Sequence, residues 1–368
     1  MSKNKYLKWL SSHTPTKWWH DSAIPEEIEN SLQNGATGVT TNPPLVAAAL
    51  KANPDYWRPL LKDIPKDLTP DGKSEEIIKR VTQKNAKALE PVYHATGGSQ
   101  GYVCAQVNPK KPGEADDMLD MAKRLASWAP NIAVKLPVTA AGLEVLEECI
   151  YQGITITATV SFTLPQVLAI AERHQKALAR ARAAGRQGGR CFAVVMVGRI
   201  DDYIRDVAHD ARADVSESDI IQCGTAIVKR AYALFNQHGY EAVLMPAGMR
   251  GAYHAADLAG ADMSLSIHPR IQAMIAELPE PFAERISVPV EADVLKRLCK
   301  IPEFVRAYEP DGLKPAEFIT FAALVGAGAL ATFGITGCAG GASGSAAGSA
   351  ATTYDVGIGH LNSTAHLL

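Results

Sequence analysis

The chain has few means of cross-linking itself. Six cysteines are spread over 368 residues, at positions 104, 149, 191, 223, 299 and 338, and none forms a CxxC pair. That spacing argues against a disulfide framework and a structural zinc site, and it points to a reducing cytoplasm. There is no HExxH, no histidine trio at ligand spacing, and no GxGxxG or GxxxxGK[ST] opening a helix. Neither a metal nor any other cofactor is therefore expected. An excess of one charge is also missing: 37 Lys and Arg stand against 39 Asp and Glu, a formal net charge of −2. Nucleic acid and anionic membrane are not expected as main partners. The N-terminal stretch Met1–Lys17 is polar and lacks the apolar core of a signal peptide. One long uncharged run, Phe318–Ile335, is present, but Ala and Gly supply much of it. Its transfer gain would be weak, so it reads as a packed terminal helix rather than a membrane span.

What is present is a repeat of short apolar runs: Lys17–Asp21, Gly38–Asn42, Tyr102–Gln106, Ile132–Lys135, Ile154–Thr157, Phe192–Val197, Ala242–Met245 and Met263–Ser266. Helix-length segments separate most of them, which predicts βα units and a parallel sheet. Eight repeats favour closure into a single (β/α)8 TIM barrel over a doubly wound open sheet. Thr163-Leu164-Pro165-Gln166 has the form of a capping box with proline in the first turn. Two regions fall outside the repeat: an insertion at about 53–80 and additional C-terminal helices at 279–336. The catalytic domain is thus expected over 1–336. The Gly/Ala/Ser-rich stretch within 337–368 predicts a flexible tail.

Alternation along a strand sorts the polar residues. Asp21 shares a face with Lys17 and Trp19, whereas Trp18 and His20 take the other. Thr40 pairs with Asn42, Gln106 with Tyr102 and Cys104, Lys135 with Ala133, and Thr157 with Thr155. These polar residues are all expected at the C-terminal ends of their strands, where barrel enzymes assemble their sites. Lys135 ends the apolar run Ile132-Ala133-Val134 and is costly to bury as an ammonium. A neutral amine there can attack a carbonyl and form a Schiff base; the alternative is a structural lysine paired with Asp21 or another carboxylate. Asp21 can take a hydroxyl proton or cap the helix beginning near Pro25. Asn42, before Pro43-Pro44, can bind a substrate hydroxyl or simply form a turn. Arg199 and Arg250 follow the sixth and seventh runs, where barrels often bind phosphate, although surface ion pairs are the commoner fate of arginines.

The stretches Gly38-Val39-Thr40-Thr41-Asn42-Pro43, Val134-Lys135-Leu136-Pro137 and Val197-Gly198-Arg199-Ile200-Asp201-Asp202 occur in the order seen in the transaldolase family of Schiff-base aldolases. Leu258-Ala259-Gly260-Ala261-Asp262 and Gly312-Leu313-Lys314-Pro315 extend the likeness, and the sequence resembles that family from about Trp18 to Phe321. The resemblance implies imine formation at Lys135, proton transfer by Asp21, and substrate hydroxyl contacts by Asn42. It implies a sugar-phosphate site using Arg199 and Arg250, and a catalytic water at Thr157. It further implies phosphorylated or similarly anionic sugar substrates and a homo-oligomer with no interface legible in the sequence. Four positions depart from the pattern. Gln106 stands where typical transaldolases carry a glutamate and where the fructose-6-phosphate aldolase branch carries a glutamine. Met196 replaces that branch's tyrosine, Thr155 replaces a substrate-binding asparagine, and Gly248 replaces a phosphate-binding serine. Three functions follow as expectations: dihydroxyacetone transfer between sugar phosphates, a lyase releasing free dihydroxyacetone, and a non-catalytic sugar-phosphate binder.

Overall fold

The computed structural model describes residues 4–108 and 113–332, with side chains described up to Val325. Helix α1 (Lys5–His13) precedes β1 (Lys17–His20), α2 (Pro25–Gln33) and β2 (Gly38–Val39). Three helices, α3 (Pro43–Ala52), α4 (Pro54–Leu61) and α5 (Pro70–Ala95), lead to β3 (Tyr102–Gln106). Strict alternation follows: α6 (Ala115–Ala126), β4 (Ile132–Pro137), α7 (Ala140–Tyr151), β5 (Ile156–Thr159), α8 (Leu164–Ala183) and β6 (Cys191–Met196). Then come α9 (Val197–Asp210), α10 (Glu217–Ile220), α11 (Cys223–His238), β7 (Val243–Ala247), α12 (Ala252–Leu258) and β8 (Ser264–Ile267). The described chain closes with α13 (Pro269–Ala276), α14 (Ala292–Leu298), α15 (Pro302–Tyr308) and α16 (Phe318–Thr332).

The eight strands run parallel in sequence order, and β8 pairs back onto β1. β7 and β8 lie side by side and complete the ring, giving the expected (β/α)8 barrel. Strand ends differ from expectation by one to three residues, with β4 running on to Pro137 and β7 to Ala247, and the differences in β2 and β5 bear on the site. β2 is two residues long because Asn42 already caps α3, its Oδ1 accepting the Leu45 N–H at 2.9 Å, and Pro43 has no N–H for a ladder. β5 begins two residues late, at Ile156, but its register against β4 keeps Thr157 beside Lys135, so the facing of its side chains is unchanged. At the start of α8, Thr163 accepts the Gln166 N–H while Gln166 Oε1 accepts from Phe162 N–H, one residue before the reciprocal bond of a standard capping box.

The insertion at 53–80 is helical. It supplies α4 and the first turns of α5, which bury Trp57, Ile77 and Val81 against Val46 and Leu50 of α3 in an apolar cluster separate from the main core. Inside the barrel the aromatic rings of Trp19, Tyr102 and Phe192 meet edge-on or stacked, with Trp19 and Phe192 centroids 4.6 Å apart. They form a cluster with Cys104, Ala133, Val194 and Met245. This apolar plug fills the N-terminal part of the barrel and leaves the polar strand ends at the opposite mouth. No helix among the described residues is long and apolar enough to cross a membrane. The tail expected at 337–368 lies outside the described residues.

Candidate active site

Lys135 is half-buried near the C-terminal end of β4, in register with Gln106 on one side and Thr157 on the other. Its Nζ donates to the Thr41 carbonyl at 3.5 Å, a long and weak bond. Among the described residues it makes no ion pair, so the structural-lysine alternative finds no carboxylate partner. Beneath it lies Cys104, fully buried, with Sγ 3.5 Å from the Thr157 hydroxyl. Burial pushes the Cys104 thiol above its ordinary range; the positive charge of Lys135 works against that shift and the carboxylate of Asp21 adds to it. The charges of Lys135 and Asp21 are therefore both felt at one sulfur, and Cys104 itself stays a protonated, inert floor.

Asp21 follows β1 directly. Its Oδ1 accepts from the Thr40 hydroxyl at 2.6 Å, and that hydroxyl also meets Ser266 Oγ at 2.7 Å. Residues at the ends of three adjacent strands, β8, β1 and β2, thus fix one carboxylate oxygen, and no described residue bonds the other. The helix-capping alternative for Asp21 is not what forms: the residue before α2 is Ile24, with no side-chain cap. Asn42 does spend its carbonyl oxygen on capping α3, which leaves its Nδ2 group as the part able to meet a hydroxyl. Gln106 and Thr157 stand where the sequence put them, flanking Lys135. Thr155 does not reach this group. It lies two residues before Thr157, buried, and its hydroxyl meets the phenol of Tyr102 in the plug.

The second half of the mouth is built by the turns after β6 and β7. Met196 precedes α9 without a side-chain cap, so the first N–H groups of that 14-residue helix carry no such partner. Arg199 sits half-buried in its first turn. Gly248 adopts φ +64°, and a side chain there would approach only Met196, whose Cε and Cβ lie at 3.8 and 3.9 Å. These two departures from the family pattern therefore line one apolar notch. Arg250 bonds Asp202 Oδ2 through Nε and Nη2, at 2.8 and 2.6 Å, and the Gly248 carbonyl through Nη1 at 2.8 Å. Asp202 is shared with Arg205, 2.8 Å away. A Cβ at Gly198 would collide with the Gly248 carbonyl and Arg250 Cγ, which is why the two turns can approach so closely.

Among the described residues no group of three His, Cys, Asp or Glu side chains is placed to hold a metal ion. The site is instead an amine, a held carboxylate, an amide and hydroxyls on one side, and arginines at a helix start on the other. The Transaldolase/Fructose-6-phosphate aldolase family model matches residues 18–305 of this chain. The chain belongs to that family. It is 31% identical to Transaldolase 1 of Streptomyces avermitilis over 209 residues, 54% of each chain. It is 27% identical to the "Probable transaldolase" of Dehalococcoides mccartyi over 250 residues, covering 68% of this chain and 84% of the relative. With Transaldolase 1 of Streptomyces coelicolor the identity is 31% over 201 residues, 50% and 51% of the two chains. The chain thus spans about half the length of the two Streptomyces relatives it matches.

Sequence reasoning assigned no role to Ser266, Asp201, Asp202 or His254, all of which bond into the site or its supports. The two aspartates lay inside a quoted motif, and His254 lies only four residues after Arg250. Ser266 carried no signal, because its partner is 226 residues away in the chain.

Proposed function

We propose that this member of the transaldolase/fructose-6-phosphate aldolase family is an enzyme that transfers a dihydroxyacetone unit from a ketose phosphate to an aldose acceptor through a Schiff base on Lys135. The observation that carries this reading is an amine that, among the described residues, has no ion-pair partner, at the C-terminal mouth of the barrel, flanked by Gln106 and Thr157, with the carboxylate that Thr40 holds acting on the same buried sulfur. Lys135 adds to the ketose carbonyl and expels water, forming an iminium. Asp21 accepts the C4 hydroxyl proton through its free oxygen, the C3–C4 bond breaks, and its electron pair moves into the iminium to leave an enamine. The aldose product departs, and the enamine attacks the acceptor aldehyde by the reverse of the same steps.

Thr157 and Gln106 flank the nitrogen and are suited to holding the water lost and regained there. An amide orients water but exchanges no proton as a carboxylate does. Asn42, with Thr40 beside it, contacts substrate hydroxyls. Arg199, Arg250 and the uncapped start of α9 supply donors for the anionic end of the substrate. Gly248 and Met196 add no side-chain donor to that end, so recognition rests on the arginines and the helix start.

A second reading, a lyase that releases free dihydroxyacetone by hydrolysis of the enamine adduct, is favoured by one observation: Gln106 rather than a carboxylate beside Lys135. Incubation with fructose 6-phosphate, with and without an aldose phosphate acceptor, separates the two. A transferase turns over only with acceptor. Steady release of triose without acceptor supports the lyase, and no turnover or adduct in either case supports the non-catalytic binder.

A further inference from the structure

His254 on α12 and Asp201 on α9 are both fully buried, with Nε2 and Oδ2 2.9 Å apart. The other oxygen of Asp201 accepts the Gly224 N–H at 2.8 Å, near the start of α11. The other ring nitrogen of His254 accepts the backbone N–H of Arg250 at 3.2 Å. An imidazole nitrogen that accepts is bare, so the His254 proton resides on Nε2 and is donated to Asp201. Asp202, the next residue along α9, grips the Arg250 guanidinium from the side-chain end. Consecutive residues on a helix point about 100° apart, so Asp202 holds the guanidinium while Asp201 holds the histidine that meets the Arg250 backbone. Arg250 itself lies in the turn between β7 and α12, outside any strand or helix, with Gly248 in the left-handed region two residues earlier.

We propose that His254 is a positioning residue for anion recognition: by accepting the Arg250 N–H while anchored on Asp201, it fixes the turn from which the guanidinium meets the anionic end of the substrate. This rests on the reading of Arg250 as part of the anion site. An asparagine amide overlays Nδ1 of histidine, whereas a glutamine amide overlays Nε2. His254→Asn therefore keeps an acceptor for the Arg250 N–H and loses Asp201; His254→Gln keeps the Asp201 bond and loses the acceptor.

The test measures KM and kcat for fructose 6-phosphate and, in parallel, for unphosphorylated fructose. His254→Gln raises KM for the phosphorylated sugar by about tenfold, with kcat and the reaction of fructose changed by less than about twofold. His254→Asn keeps KM for fructose 6-phosphate within about threefold of wild type. A role confined to stabilising buried Asp201 predicts the reverse order, and finding Asn worse than Gln overturns the proposal. Should His254→Gln fail to fold, His254→Asn decides alone, and a KM rise beyond about threefold overturns it. Arg250→Met separates the two layers of argument. If that variant leaves KM for fructose 6-phosphate unmoved, the anion-site reading fails. If it raises KM while His254→Gln does not, the positioning role alone is overturned.

Discussion

Thr40→Val removes the hydroxyl that holds Asp21 while keeping the side chain's shape. Thr40 is buried, and its Oγ1 lies 2.6 Å from Asp21 Oδ1 and 2.7 Å from Ser266 Oγ, so no bulk water stands ready to replace it. A hydrogen bond to a charged group contributes about 1.5–3 kcal/mol. If that stabilisation is realised in aligning the carboxylate for C3–C4 cleavage, its loss slows cleavage by about 10- to 150-fold. Imine formation on Lys135 does not use Asp21, so borohydride trapping of the ketose adduct stays within about twofold of wild type. Single-turnover cleavage of fructose 6-phosphate and trapping yield are measured on the same preparation. Thr40→Ser, which restores the hydroxyl, recovers most of the rate. Cleavage within twofold of wild type in Thr40→Val refutes the reasoning, as does a parallel loss of trapping and cleavage.

Two further outcomes concern the frame around the site. Burial, with a smaller effect of nearby His268, holds His20 down to about 4 against an ordinary 6.5. Above pH 6.5 the ring is neutral in both folded and unfolded chains; as pH falls below that, only the unfolded chain gains the proton. His20 thus costs stability progressively from pH 6.5 to about 4, reaching roughly 3 kcal/mol, and denaturant titrations across that range show a shallower fall for His20→Asn. Equal slopes remove His20 from the acid sensitivity. Gly198→Ala forces a methyl group against the Gly248 carbonyl and Arg250 Cγ; about 1–3 kcal/mol of stability is lost, together with affinity for inorganic phosphate as a competitive inhibitor. Native phosphate inhibition in a well-folded variant contradicts the packing argument.

The barrel was legible because its signal is local. Alternation within each run placed Trp19 in the interior plug, Trp18 in the outer core and His20 against Gln272 and Glu27 on the helix side. The same alternation brought Lys135, Gln106 and Thr157 to one face even though β5 begins two residues later than expected, since a later start leaves the facing of the residues that remain unchanged. Distance along the strand was less legible. Thr155 has the right face but the wrong depth, and only its side-chain hydrogen bond shows that it belongs with Tyr102. Competition for a single oxygen was not legible either: Asn42 had to be seen capping α3 before its Nδ2 could be separated from its Oδ1. The support of Arg250 by Asp202 and of Asp21 by Thr40 and Ser266 joins residues far apart in the chain, and no spacing rule reaches that far.

Reductive trapping followed by peptide mapping bears most directly on the central claim. The enzyme is incubated with fructose 6-phosphate, reduced with borohydride, digested and sequenced by mass spectrometry. The account predicts a single substrate-derived adduct, on Lys135, absent from a folded Lys135→Arg variant because guanidinium does not condense with carbonyls. An adduct on a different lysine, or full turnover by Lys135→Arg, would contradict it.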